Sequence, residues 1–223
     1  LQYRHQPSCV ISETSGDILC AHRAGVSHSS EADQIVITRS NDMGITWTDR
    51  RNEVTTHADN TAFQEIAALG QGNGRMWLIG SDVNNDPLPA TRRCWTSYSD
   101  DDGATWSAKS FNIPEPGTSF TTCGGGMGIY EASDGDLVAA GYGQDTATAP
   151  RYTSWEFRSS DAGVTWTVTA TLAGTAGTTQ YEEPNCGRLR GSSTHVCLIR
   201  VDNEPTSCTG AACGYVYVTR STD

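Results

Sequence analysis

Lysine is almost missing from this 223-residue chain: Lys109 stands alone beside fourteen arginines. Acidic residues outnumber basic ones by 26 to 15, and the formal net charge is −11. A chain so charged has no basic face for a phosphate backbone or an anionic bilayer, so nucleic acid is excluded as an expected partner. No run approaches the ~20 apolar residues that a membrane-spanning helix needs. No stretch longer than a turn spaces its apolar residues helically, which leaves an all-β chain. No C-x2-C pair occurs and the histidines are not spaced as ligands, so no metal site is expected. No N-x-S/T acceptor occurs either.

What the chain does have is a repeated sentence, S-x-D-x-G-x-T-W. It spans Ser40 to Trp47 through Asp42 and Gly44, Ser99 to Trp106 through Asp101 and Gly103, and Ser159 to Trp166 through Asp161 and Gly163. The chain closes on Ser221-Thr222-Asp223, the opening of a fourth copy. A period of about 60 residues means a repeated supersecondary unit. Each copy reads as a tight turn between strands. Asp accepts from backbone N–H groups ahead of it, Gly supplies a positive φ, and Trp brings apolar area to bury.

The segments entering these turns are strand-like: 34–39, 152–157 and 215–219 are rich in β-branched and aromatic residues. A second hairpin precedes each turn, with tips at Ser15-Gly16-Asp17, Gly72-Asn73-Gly74, Ser133-Asp134-Gly135 and Arg190-Gly191-Ser192. Each unit therefore holds four strands, A to D, with the repeated turn between C and D. Four-stranded antiparallel units repeated radially make a β-propeller. The blades are expected at 1–58, 59–118, 119–178 and 179–223, the last lacking strand D. Residues 1–6 closing a four-bladed ring is one reading. Part of a larger ring, completed by a further segment or chain that covers the open blade faces, is the favoured one.

Eight cysteines form an even set. Cys9 and Cys20 flank the A–B hairpin of unit one, and Cys186 and Cys197 flank that of unit four. Cys208 and Cys213 bracket a short loop, which leaves Cys94 with Cys123. The expected pairs are Cys9–Cys20, Cys94–Cys123, Cys186–Cys197 and Cys208–Cys213, and they point to an oxidising, extracellular compartment.

The repeated turn resembles the Asp box, or BNR repeat, of the sialidase superfamily. That resemblance covers essentially the whole chain and implies a six-bladed propeller. It also implies that the Asp boxes lie on the face away from the active site, as turn scaffolding. Tyr181-Glu182-Glu183-Pro184-Asn185-Cys186, with Cys197-Leu198-Ile199-Arg200 after it, resembles a stretch in which a Glu activates a tyrosine nucleophile and an Arg grips a substrate carboxylate. Glu183 and Arg200 match those positions. Tyr3-Arg4-His5-Gln6-Pro7 resembles the family's R-I-P motif, with Arg4 three residues before Pro7 rather than two. Either Arg4 or His5 then stands at the arginine position. Arg23 matches the arginine that ends the next strand. The acid/base loop of the family corresponds to 26–33, where His28 takes the Asp position and Glu31 and Asp33 are the nearest carboxylates. The nucleophile and third arginine are expected beyond residue 223.

Aligning units by their hairpin glycines brings His5-Gln6-Pro7, Phe63-Gln64-Glu65, Gly124-Gly125-Gly126 and Glu182-Glu183-Pro184 to one rim. Gln64 joins the substrate-binding candidates there. Asp82-Val83-Asn84-Asn85-Asp86 resembles a calcium loop faintly, without its sixth-position Gly, and is expected to be a polar loop. No cofactor is expected, with calcium at this segment as the weaker alternative. Two functions follow. One is a secreted, sialidase-like exo-glycosidase acting on terminal sugars, with Glu183 and a carboxylate of the Glu31–Asp33 loop as catalytic groups and Arg4, Arg23 and Arg200 binding an anionic group through planar forks. The other is a non-catalytic propeller that binds glycans or serves as a surface subunit.

Overall fold

The computed structural model describes residues 3–25, 34–50, 62–84, 91–114, 128–145, 151–174, 179–203 and 215–222. Every regular element among them is a strand. Unit one is an antiparallel sheet in chain order: β1 (Tyr3–Ile11), β2 (Ile18–Gly25), β3 (Gln34–Ser40) and β4 (Thr48–Arg50). Unit two contributes β5 (Ala62–Gly72), β6 (Arg75–Asn84) and β7 (Thr91–Ser99). Unit three contributes β8 (Ile129–Glu131), β9 (Leu137–Asp145), β10 (Arg151–Ser159) and β11 (Thr167–Ala173). Unit four is β12 (Thr179–Arg188), β13 (Thr194–Asn203) and β14 (Tyr215–Thr222), again in chain order. First strands of neighbouring units lie side by side. β5 meets β8 in parallel at Gln71 and Tyr130, which joins units two and three into one seven-stranded sheet.

The hairpins form where small and turn-prone residues interrupt β-branched runs. Asn73 and Gly74 close the β5–β6 hairpin with φ of 54° and 70°, a pair of left-handed residues matched to strand twist. The S-x-D-x-G-x-T-W turns share one hydrogen-bond pattern. In the second, Ser99 Oγ donates to Asp101 Oδ1 at 2.7 Å and accepts from Gly103 N at 2.8 Å. Asp101 accepts from Thr105 N at 2.7 Å and from the Thr105 hydroxyl at 2.6 Å. Asp42 and Asp161 do the same with Thr46 and Thr165. The residue before each glycine also has a positive φ: Met43 at 60°, Asp102 at 57° and Ala162 at 56°. Two successive left-handed residues thus turn the chain, and the serine and aspartate stabilise that conformation.

Unit two departs from the four-strand expectation. Its outer strand is reduced to a bridge between Thr96 and Ser110. The Ser107 hydroxyl accepts from Tyr98 N at 3.0 Å, a bond a backbone carbonyl would otherwise receive. Beyond it, the Asn112 amide donates to Gly163 O of unit three at 2.8 Å, and Ile113 is buried between the two units. The segment leaves its own ladder to serve the neighbouring interface.

The core lies between units, not within them. Leu19, Ala21, Ile35 and Ile37 of unit one pack on Leu69, Met76, Leu78 and Trp95 of unit two. Trp77, Ile79 and Ile113 face Ile129, Leu137, Ala139, Trp155, Phe157 and Trp166 of unit three. Ala140 and Ala173 meet Cys186, Cys197 and Ile199 of unit four. The repeated turns sit in the same interfaces. A Cβ on Gly103 would come within 2.6 Å of Leu19 in unit one, and one on Gly163 within 2.2 Å of the Trp77 ring. Arg39 latches one of these interfaces: it donates to Asp17 Oδ2 at 2.5 Å, to Asp102 O at 3.0 Å and to the Asp102 carboxylate. The first turn differs. Trp166 is 5% exposed, but Trp47 is 44% exposed, with Met43 and Ile45 open beside it. Burial of this tryptophan is not a property of the turn itself. It requires the sheet of a preceding unit, and the described residues place none against unit one.

The disulfides Cys9–Cys20 and Cys186–Cys197 cross β1–β2 and β12–β13 at paired positions, each closing eleven residues of sequence. Cys94 is disulfide-bonded too. Cys123, Cys208 and Cys213 lie outside the described residues.

Gly163→Ala is expected to lose about 2–4 kcal/mol, from a left-handed alanine plus a clash with a buried indole. Gly44→Ala, whose Cβ would meet nothing closer than 3.7 Å, loses only the backbone part, about 1 kcal/mol. Urea denaturation of both variants checks the difference. The Thr hydroxyl, its backbone N–H and the Ser hydroxyl hold Asp42, Asp101 and Asp161 down at about 2. The ordinary value is about 3.9, so these turns add stability that is complete above about pH 4 and lost as the pH falls through 2. Urea midpoints measured from pH 6 to pH 2 are expected to stay level and then drop, less steeply in Asp101→Asn.

Candidate functional site

A β-bulge interrupts the first strand of units one, two and four near the end opposite the repeated turns. His5 pairs with Arg23 and Ser8 with Ala21, so three steps on β1 face two on β2. Gln64 pairs with Asp82 and Ala67 with Gly80. Glu182 pairs with Arg200 and Asn185 with Leu198. Each bulge adds one residue, bends its strand and re-aims what it carries. The sequence accommodates this in two units with proline. Pro7 and Pro184 lie in the bulges, where a missing N–H leaves no gap in the ladder.

Counted from the disulfides, units one and four share one register. Arg23 lies three residues beyond Cys20, and Arg200 three beyond Cys197. Gln6 holds in unit one the place that Glu183 holds in unit four. The residues above the bulges, His5, Gln64 and Glu182, face Arg23, Asp82 and Arg200 across the ladder. The backbone register therefore places these positions at one end of the inner strands.

Unit four gives this end its clearest chemistry. Glu183 sits in the bulge at φ 50°, a left-handed conformation that costs a non-glycine residue about 1 kcal/mol or more. It is retained where the surrounding structure fixes it. Here Pro184 follows, and Arg200 Nη1 lies 3.4 Å from Glu183 Oε2. The Arg200 side chain is 50% exposed. Tyr181 packs edge-on against Tyr217, ring centroids 5.6 Å apart, beside the pair. Ser154 of unit three donates to Tyr181 O at 3.0 Å and fixes β12 against its neighbour.

The other candidates separate. Arg23 is 2% exposed and engaged by its surroundings, so it is built into unit one and not presented at the surface. Arg4, His5 and Gln64 are placed by backbone alone: Arg4 pairs with Ala24, and the other two flank bulges. Glu31 and Asp33, like His28 and Gly124 to Gly126, lie outside the described residues. Asp82 to Asn84 is not a loop. These residues form the end of β6, paired with β5 and β7, because Val83 and its neighbours continue the ladder. Ser40, Ser99 and Ser159, with their aspartates, glycines and tryptophans, stand at the opposite ends of the strands from Glu183. What the sequence reading missed is the bulge. Its signal was a proline inside an inner strand, two residues before one cysteine of a paired set.

No protein-family model and no curated protein matches the chain in sequence. Its fold, however, recurs among solved structures. A protein of unknown function from Dyadobacter fermentans DSM 18053 aligns over 100% of this chain and 66% of its own, with a TM-score of 0.79 and 17% identity. Trypanosoma rangeli sialidase aligns over 98% of this chain and 36% of its own, with a TM-score of 0.68 and 16% identity. An endo-arabinase from Bacteroides thetaiotaomicron VPI-5482 aligns over 100% and 76%, with a TM-score of 0.67 and 13% identity. The chain thus has a sialidase-like propeller fold, shared with glycosidases, and spans about a third of the sialidase's length.

Strain at Glu183 has a measurable consequence. Glu183→Gly and Glu183→Ala both remove the carboxylate, but only glycine relieves the backbone. The glycine variant is expected to be more stable than the alanine variant by about 1 kcal/mol in urea denaturation.

Proposed function

We propose that this chain supplies three and a half to four blades of a six-bladed, secreted propeller that hydrolyses terminal sugars in the manner of a sialidase, with the repeated turns acting as Asp boxes. The observation that carries the reading is the Glu183–Arg200 pair, 3.4 Å apart at a strained bulge on an inner strand. In this reading Glu183 accepts a proton from a nucleophile supplied elsewhere in the ring, and Arg200 receives an anionic substituent of the sugar. Arginine suits that task through its planar fork. Arg4 or His5 adds a second contact, with Gln64 on the rim. Glu31 or Asp33 protonates the leaving oxygen, as retaining hydrolysis requires. Two cross-strand disulfides agree with an extracellular location. No metal ion enters the scheme.

Arg23 favours a second reading. Its burial takes one of the expected carboxylate-binding arginines out of reach, which suits a propeller that binds glycans without cleaving them. A panel of fluorogenic glycosides, applied to protein carrying all blades, separates the two. Hydrolysis of a sialoside with retention, falling by about 100-fold or more in Glu183→Gln, is the expected result. Folded protein that turns over no sialoside removes the enzymatic reading. Glycan-array binding that persists in that protein leaves the binding module.

A further inference from the structure

Below the bulges, the four first strands enclose a cleft of about 760 Å³ that runs toward the hairpin tips. Its walls are unequal in charge. Unit four contributes Asn185, Arg188 and Arg190; units one, two and three contribute Glu13, Gln71 and Tyr130. Gln71 is committed. Its amide donates to Ile11 O and accepts from Glu13 N at 2.9 Å, clamping β1 to β5. The Tyr130 hydroxyl is committed too, at 2.6 Å from His195 Nδ1, which leaves the tyrosine fixed in the wall. By contrast, Arg188, Arg190 and Asn185 make no ion pair or side-chain hydrogen bond among the described residues, and neither does the Glu13 carboxylate.

Two guanidiniums on one wall with no ion pair among the described residues stand out in a chain of net charge −11. Arginine forks hold carboxylate or sulfate groups through paired, charge-assisted bonds. Glu13, contributed to the lining by unit one, repels a second anionic group but accepts readily from hydroxyls. Asn185, on the same wall as the arginines, offers both a donor and an acceptor. The volume far exceeds that of a bare ion and lies within the range of small-ligand sites, roughly 300–1,000 Å³. We infer that this cleft is a second carbohydrate site, independent of the Glu183 mouth, which takes a saccharide bearing one carboxylate or sulfate: the anion on Arg188 and Arg190, the hydroxyls toward Glu13 and Asn185.

The test titrates the full chain with glucuronate, glucose and inorganic sulfate by calorimetry, and maps the contacts by backbone amide shifts. Glucuronate is expected to bind more tightly than either comparison ligand. Its shifts should fall on Glu13, Tyr130 and 185–190. Arg188→Gln with Arg190→Gln should weaken it by about tenfold or more, since each charged hydrogen bond is worth about 1.5–3 kcal/mol. The amide shifts of 185–190 are read separately from those of 182–183 and 200, so failure of the mouth's proposed role does not touch this site. Glucose binding equally well, or sulfate equally well, overturns the inference, as does binding that survives both arginine substitutions. Shifts confined to 182–183 and 200 on the unsubstituted chain overturn it without reliance on any variant.

Discussion

The indole of Trp77 lies against the bare Cα of Gly163, and nearly everything else in the molecule follows from contacts of that kind. A single sheet of three or four strands cannot bury enough apolar surface to stand alone. Units two and three solve the problem by laying one face on the unit before and the other on the unit after, and units one and four each pack on one neighbour among the described residues. The repeated turn is part of that solution. Its serine, aspartate and threonine satisfy the backbone where the chain reverses, and its glycine lets the turn press flat onto the neighbour. Leu19 under Gly103 repeats the contact one interface earlier. Trp47, with no such neighbour among the described residues, is 44% exposed.

This dependence explains why the first strands are brought together. Interfaces that stack sheets face to face leave the inner edges crowded around one axis. Ser8 bonds both the amide and the carbonyl of Leu69 across that crowding, at 3.0 and 3.4 Å. Ser154 and Asn112 tie other neighbours in the same way. Polar groups placed at the ends of the inner strands are then held by the whole stack, not by a loop. The bulges use that rigidity, since a left-handed glutamate needs a surround that will not relax.

The architecture was legible because it is written in periodicities. Alternating β-branched runs, turn residues at fixed offsets and cysteine pairs eleven apart each report a local geometry that the chain cannot avoid. The cross-strand disulfides at Cys9 and Cys186 were readable for that reason. Other features were not local. The loss of a regular outer strand in unit two depends on Asn112 finding Gly163, fifty-one residues away. The exposure of Trp47 and the burial of Arg23 depend on which sheet lies beside them. Asp82 to Asn84 looks like loop by composition yet continues a strand, since pairing on both sides outweighs propensity. The bulges escaped because one extra residue changes no composition. Only the ladder registers reveal them.

Units one and four sharpen the question of where function resides. They share the disulfide, the bulge, the proline and the arginine three residues past the second cysteine. If those features made a site, there would be two equal ones. They differ in two respects: Gln6 stands where unit four has Glu183, and Arg23 is buried where Arg200 is half-exposed. The common parts are therefore scaffold, a way of presenting one residue per unit at the end of an inner strand. The chemistry is what each unit places on it. At this position unit four sets an ionisable carboxylate 3.4 Å from a half-exposed guanidinium, where unit one has Gln6 in the bulge and a buried Arg23. The asymmetry between two otherwise matching units, more than either unit's motif, is what makes Glu183 and Arg200 the pair on which the proposed activity depends.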